Sequence, residues 1–272
     1  MAGIRAGPKS FRKRYKQYTG LLARLAKDLP DHVSAESVHD LRVTIRRVQM
    51  MCKLLPRRVR RSRTFSRYNL AAKSLFKSTT RLRDFDTLAK TLGSTKPDLT
   101  PNLLEYLDKR RMNAIKGTMT AAKVFGGAVS PSVAPSIING KRLSRRLGRR
   151  VRSRSRAIQE LLGRVLEDET KVEELHELRK DVKRLRYLLE ISDKKPAELG
   201  VLERWQDSLG IVHDLDVALR FLETSRWKVQ SEAAISELRR SRHLAYIQFA
   251  KSCRADASET LKDSEVLPLL LD

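Results

Sequence analysis

Apolar residues recur every three or four positions through most of this chain, and clusters of Pro and Gly interrupt the recurrence. Val38, Leu41, Ile45, Val48, Cys52 and Leu55 give the clearest run, a spacing that puts all six on one face of a helix. Strict alternation of polar and apolar residues, the mark of a half-buried strand, is nearly missing, so the pattern predicts an all-α fold. Eight main helices are expected. The first four run from about Ser10 to Leu29, Ser34 to Leu55, Thr64 to Leu92 and Pro101 to Phe125, with stops at Pro30 and Pro56. The stretch Gly126-Gly127-Ala128-Val129-Ser130-Pro131, with Pro135 soon after, reads as a linker between halves. The next four run from about Lys141 to Val165, from near Thr170, from Pro196 to Leu222 and from Lys228 to Arg254. The spacing of Thr170 to Glu173 predicts a capping box. A tail with Pro268 and a Leu-Leu-Leu ending is expected to dock on the body.

Beside the apolar stripe of the second helix runs a polar one. His39, Arg42, Arg46, Gln49 and Lys53 keep the same step one residue later, about 100° around the helix. The pattern recurs 137 residues on, where Leu175, Leu178, Val182, Leu185 and Leu189 lie beside His176, Arg179, Lys183 and Arg186. Arg83-Asp84-Phe85-Asp86 is matched by His213-Asp214-Leu215-Asp216 at an offset of 130, and Lys109, Arg111 and Ala114 by Arg240, Arg242 and Ala245 at 131. A four-helix unit duplicated in tandem accounts for all three matches. Short loops favour antiparallel neighbours, so each half is expected to be a bundle.

Composition sharpens this picture. The 272 residues carry a net charge of +25, which points to a polyanionic partner: nucleic acid, an acidic membrane or a phosphate polymer. The excess is uneven. Residues 1–135 hold 29 basic and 9 acidic side chains, a net of +20, and residues 136–272 hold 28 and 23, a net of +5. The first half is therefore expected to contribute more to anion binding. The two cysteines, Cys52 and Cys253, make no disulfide framework or metal cluster, and Cys52 reads as a buried free thiol. No apolar run has transmembrane length and residues 1–7 lack the apolar core of a signal peptide, which leads to the expectation of a soluble cytoplasmic protein without membrane contact.

The His-x-x-Arg helices, Val38-His39-Asp40-Leu41-Arg42-Val43 with Arg46-Arg47 and Leu175-His176-Glu177-Leu178-Arg179-Lys180 with Lys183-Arg184-Leu185-Arg186-Tyr187, resemble those of the CHAD family, the conserved histidine α-helical domain. Ser208-Leu209-Gly210 before Asp214 and Asp216 is similar to the family's seventh-helix segment. The resemblance covers nearly the whole chain, taken as one domain over 1–272 with halves at 9–125 and 141–255, a linker at 126–140 and a tail at 256–272. It implies two four-helix bundles related by approximate two-fold symmetry, a basic groove or pore between them that binds inorganic polyphosphate, and association with polyphosphate granules. Some members are fused to a triphosphate-tunnel domain with a Glu-x-Glu-x-Lys motif; that motif does not occur here, so a stand-alone binding module is expected. The chain departs from the family pattern at His213, where arginine is usual, and at Lys183. Glu203, Asp207 and Ile211 also stand where the first half has Lys73, Lys77 and Arg81.

The candidate polyphosphate-binding residues are His39, Arg42, Arg46, Arg47 and Lys53 on the second helix, with Lys73, Lys77, Arg81 and Arg83 on the third and Lys109 and Arg111 on the fourth. The second half adds His176, Arg179, Lys183, Arg184 and Arg186, with Arg240 and Arg242 on its last helix. Guanidinium forks match phosphate oxygens, and the helix spaces His39, Arg42 and Arg46 by about 4.5 and 6 Å along its axis, which suits a linear polymer. Asp84, Asp86, Asp214 and Asp216 are expected to orient these arginines, with a bridging divalent ion left open. Neither His motif has the i+4 partner of a zinc helix, so no metal or cofactor is expected. Arg142, Arg145, Arg146, Arg149, Arg150, Arg152, Arg154 and Arg156 form the densest basic run, with Arg57, Arg58, Arg60, Arg61 and Arg63 next; collar, nucleic-acid patch and solvated face remain alternatives for both.

Nucleic acid is the rival partner, as a weaker polyanion. Against it stand the absence of aromatics interleaved with the basic stripes, only 6% of residues being aromatic, and of any helix-turn-helix or RNA-recognition signature. An enzyme acting on phosphate polymers is the third reading. It lacks a nucleophile with a nearby base, a P-loop or a metal box, so no catalytic residue is assigned.

Overall fold

The computed structural model describes residues 4–94, 101–193, 197–225, 227, 231–261, 264 and 266–267. These residues form nine α-helices and one 3-10 turn, with no strand. The chain divides into two units. The first comprises Ala6–Ala89 and Leu104–Arg146, the second Met1–Arg5, Lys90–Leu103 and Leu147–Asp272.

In the first unit, α1 (Pro8–Asp28) starts with proline in its first turn, where a missing N–H costs nothing. Phe11, Tyr15, Thr19, Leu22 and Ala26 form its buried stripe. α1 packs against α2 (Ala35–Leu54), whose buried face is the Val38, Leu41, Ile45 and Val48 stripe. A reciprocal box caps α2: Ser37 N–H donates to Ser34 Oγ at 3.0 Å and Ser34 N–H to Ser37 Oγ at 2.9 Å. The usual sequence signature has Glu or Gln in the role Ser37 plays, which hides this cap from a motif search. Pro56 ends α2, and a short helix, α3 (Arg57–Arg60), follows where no separate element was expected. α4 (Arg63–Gly93) and α5 (Pro101–Gly126) are the long helices of the first half. Tyr68 and Phe125 bring α4 and α5 together with ring centroids 5.4 Å apart.

The segment read as a linker packs within the first unit. It holds the 3-10 turn Pro135–Ile137, and its Val133 carbonyl accepts from Arg12 Nε of α1 at 3.1 Å. α6 (Gly140–Val165) begins beside α1, where a side chain at Gly140 would press on the Pro8 ring at 3.2 Å. The division between units falls inside α6, after Arg146.

In the second unit, α7 (Val172–Leu189) packs on α8 (Glu198–Thr224), and α8 on α9 (Glu232–Glu259). The Thr170–Glu173 capping box does not form. Asp168 takes both donors of Thr170, its N–H at 2.8 Å and its hydroxyl at 2.6 Å, while Glu173 pairs with Arg220 at 3.2 Å. α7 therefore starts two residues after Thr170. The expected starts of α8 and α9 at Pro196 and Lys228, and the Pro268 tail, lie outside the described residues. No described helix is long and apolar enough to cross a membrane.

Trp205 is the largest fully buried side chain of the second unit, whose core also buries Leu178, Val182, Leu202 and Phe249 completely. Burial of each such side chain contributes about 1.5–3 kcal/mol. The indole N–H needs a partner there and donates to Asp256 Oδ2 at 2.8 Å, while Arg204 pairs with Oδ1 of the same carboxylate. Asp256→Ala should cost about 2–3 kcal/mol in urea unfolding by stranding the indole N–H, and Asp256→Asn should cost less. Equal losses would show that the charge on Asp256, not its acceptor, matters.

Both cysteines are buried free thiols, and burial pushes each up to about 12. A thiol reagent at about pH 8 should leave both unlabelled in the native protein and label both after denaturation. Rapid labelling of native protein would reveal opening of these cores.

Candidate functional site

The cation row of α2 points at α4. Arg42 is 9% exposed, and its Nη1 donates to the Phe76 carbonyl at 3.2 Å and to the Thr79 and Thr80 hydroxyls at 3.1 and 3.0 Å. Its guanidinium carbon lies 4.3 Å from the centre of the Phe76 ring, and that of Arg46 lies 5.1 Å from the same ring. Two arginines thus share one aromatic ring. Burial, helped by the nearby charges of Arg46 and Arg83, pushes Arg42 down to about 10, with Asp84 acting in the opposite sense. The group stays protonated at neutral pH, in a setting that disfavours its charge. His39, one turn before Arg42 on α2, is exposed.

An equivalent cluster lies in the second unit. His176 Nε2 donates to Asp216 Oδ2 at 3.1 Å. The rings of His176 and His213 meet edge to face at 4.4 Å. Arg179 and Lys183 follow His176 along α7, and their charges bear on His213. The carboxylates behind the two clusters have matching roles. Arg111 donates through Nε to Asp86 at 2.6 Å and through Nη2 to the Val33 carbonyl at 3.4 Å. Arg242 donates through Nε to Asp216 at 3.0 Å and through Nη2 to the Glu169 carbonyl at 2.7 Å. In each unit an arginine of the last helix ties the aspartate of the preceding helix to the loop before the His helix. This is the orienting role expected of Asp86 and Asp216. Among the described residues no group of three or more His, Cys, Asp or Glu is placed to hold a metal ion.

The remaining candidates divide by their partners. Arg47 lies over the Tyr18 ring of α1 at 5.5 Å, and Lys53 is exposed near the end of α2. Lys109 pairs with Glu105 at 2.6 Å, Arg184 with Asp181 at 2.7 Å and Arg240 with Glu237 at 2.9 Å. Arg186 pairs with Glu203 at 3.2 Å and Glu190 at 3.5 Å. Local acids thus hold these four cations. Lys73, Lys77 and Arg81 are exposed on α4. Lys77 and Arg81 line a groove of about 330 Å³ with Ser74, Ser78 and, from α5, Asn113 and Gly117. The corresponding face of the second unit is apolar where this one is polar: Ile211 and Leu244, more than half exposed, stand in the places of Arg81 and Asn113. On α6, Arg149, Arg152 and Arg156 line a separate outward face with Ser153 and Glu160.

Phe76, Thr79 and Thr80 were not apparent as site residues from the sequence. A lone Phe among lysines gives no motif, although the Thr-Thr pair in mid-helix is a signal, since threonine is a weak helix former. The His176–His213 contact joins residues of different helices and has no local signature.

A family model of the CHAD domain matches residues 16–223. The crystal structure of the CHAD domain from the plant Ricinus communis superposes with a TM-score of 0.54 at 20% identity, covering 92% of this chain and 89% of that one, a likeness that speaks for the fold alone. A search of curated proteins found no match. The family match spans most of the chain, and the protein belongs to the CHAD domain family.

Proposed function

We propose that this chain binds inorganic polyphosphate, through Arg42, Arg46 and Arg83 with His39 in the first unit and through His176, Arg179 and Lys183 in the second. It acts as a binding module rather than an enzyme, in the cytoplasm at polyphosphate granules. The observation that carries the reading is the crowding of like charges. Folding buries Arg42 over the ring it shares with Arg46, and burial first, then the charges of Arg46 and Arg83, lower its proton affinity against the pull of Asp84. Such an arrangement costs free energy in the empty protein, and a polyanion laid across it relieves that cost. Each charge-assisted hydrogen bond to phosphate then contributes about 1.5–3 kcal/mol before ordering costs.

A flexible, unbranched phosphate chain can follow a helix edge and reach half-buried guanidinium groups. A duplex holds its phosphates on a broad cylinder, and a single strand finds no stacking platform, because Phe76 is already covered by Arg42 and Arg46. Nucleic acid instead fits the exposed arginines of α6, which a phosphate backbone can reach from solvent. Competition at fixed ionic strength separates these partners. Long-chain polyphosphate should displace DNA and RNA at matched phosphate concentration, and the reverse displacement should be weak. Equal competition would favour a general basic surface.

The first unit should dominate affinity, since Lys73, Lys77 and Arg81 adjoin its cluster and acids take two of those places in the second. Arg46→Ala with Arg83→Ala should weaken polyphosphate binding by at least about tenfold more than Arg179→Ala with Lys183→Ala. Equal or reversed losses in folded variants would show that local geometry outweighs charge count.

A further inference from the structure

The two clusters differ at one position with chemical consequences. In the first unit Arg83, permanently charged, stands close to Arg42. In the second, His213 occupies that place. His213 is half-buried, and its Nδ1 is shut off from solvent without a hydrogen-bond partner. An imidazolium carries two N–H donors, so charging this ring strands one of them as a buried donor. The groups around it push the same way. From α7, the charges of Arg179 and Lys183 and the edge of His176 bear on the ring; Arg179 reaches α8 one turn before it, with Nε 4.0 Å from the point where a side chain on Gly210 would begin. On α8 itself, Asp216 is the carboxylate that favours the charged ring, but it is shared with His176 and, from α9, with Arg242; Asp214 is the next residue along the helix. Burial and the three neighbouring bases thus hold His213 down to about 3.

We propose that His213 is a further phosphate-binding residue and that the second unit's site takes up a proton from solvent when it takes up phosphate. This rests on the polyphosphate reading. A phosphate group seated against Arg179 and Lys183 cancels the charges that keep the ring neutral, and it offers an acceptor to the Nε2 side of the ring, away from the shut-off Nδ1. The sign follows from linkage. The empty site binds no proton at His213 above about pH 3, while the occupied site does so up to a higher pH. Affinity at the second unit therefore rises as pH falls from the ordinary imidazole range, about 6.5, toward about 3. The first unit has Arg83 in this place and so has no group there to charge, and its His39 is the same in every variant compared.

The test is isothermal titration of the whole protein with long-chain polyphosphate, whose end groups are too few to matter, between about pH 4 and 6 in buffers of different ionisation enthalpy. The wild type should take up close to one proton more per protein than His213→Arg or His213→Gln, and both variants should still bind through the first unit. NMR of ring-labelled histidine should show His213 neutral in free protein and charged in the complex over the same range. Binding with equal proton uptake in all three proteins, or a ring that stays neutral in the complex, would overturn the inference while leaving polyphosphate binding intact. Failure of every protein to bind at any pH would overturn the binding reading, and this inference with it.

Discussion

Repulsion among arginines limits how many can be gathered at one place, and each unit pairs the arginine of its last helix with a buried aspartate. Asp86 and Asp216, each with a side chain only 6% exposed, accept from Arg111 and Arg242. A buried carboxylate left alone would be expensive, so each pair neutralises charges that neither partner could bury by itself. The same arginines reach the carbonyl of the loop that feeds the His helix. One interaction thus fixes the last helix, the carboxylate of its predecessor and the entry of α2 or α7. The cation rows are positioned by that frame.

Within the frame the rows are held by different means. In the first unit Arg42 spends one nitrogen on α4 and lays its face on Phe76, so its position is set by packing as much as by charge. Truncating Arg42 would remove helix contacts together with a cation. In the second unit His176 is hydrogen-bonded to Asp216, and the charges on α7 bear on His213. The two units share the Arg–Asp frame and differ in what it carries. One unit presents permanent cations flanked by further lysines; the other presents fewer cations and a histidine whose charge depends on its surroundings.

Net charge alone overstates the binding surface. Lys109, Arg184, Arg186 and Arg240 are committed to nearby carboxylates, and Arg242 to Asp216 and Glu169. The buried Arg242 is a poor direct ligand, since a phosphate would have to displace an acid already in place, whereas the exposed pairs are weak and only lower the charge presented locally. Among the described residues, those best placed to meet an anion are Lys77 and Arg81 on the α4 face and the half-buried Arg46 and Arg83 beside Arg42.

Periodicity and prolines alone determined the eight long helices, most to within two or three residues, and the stripe of cations beside each apolar seam. The reason is local: direction around a helix axis depends only on spacing along the chain. Repetition of His39-x-x-Arg42 as His176-x-x-Arg179 likewise needs no structure to be seen. Tertiary structure decided which charges remain available. Arg111 meets Asp86 across 25 residues and Arg154 meets Asp181 across 27, pairings that no local pattern encodes. It also placed Phe76 beneath two arginines and turned Thr170 to Asp168 rather than into a cap. Above all it set the charge of His213, because a side chain's protonation depends on burial and on the faces that meet around it, and those are properties of packing between helices.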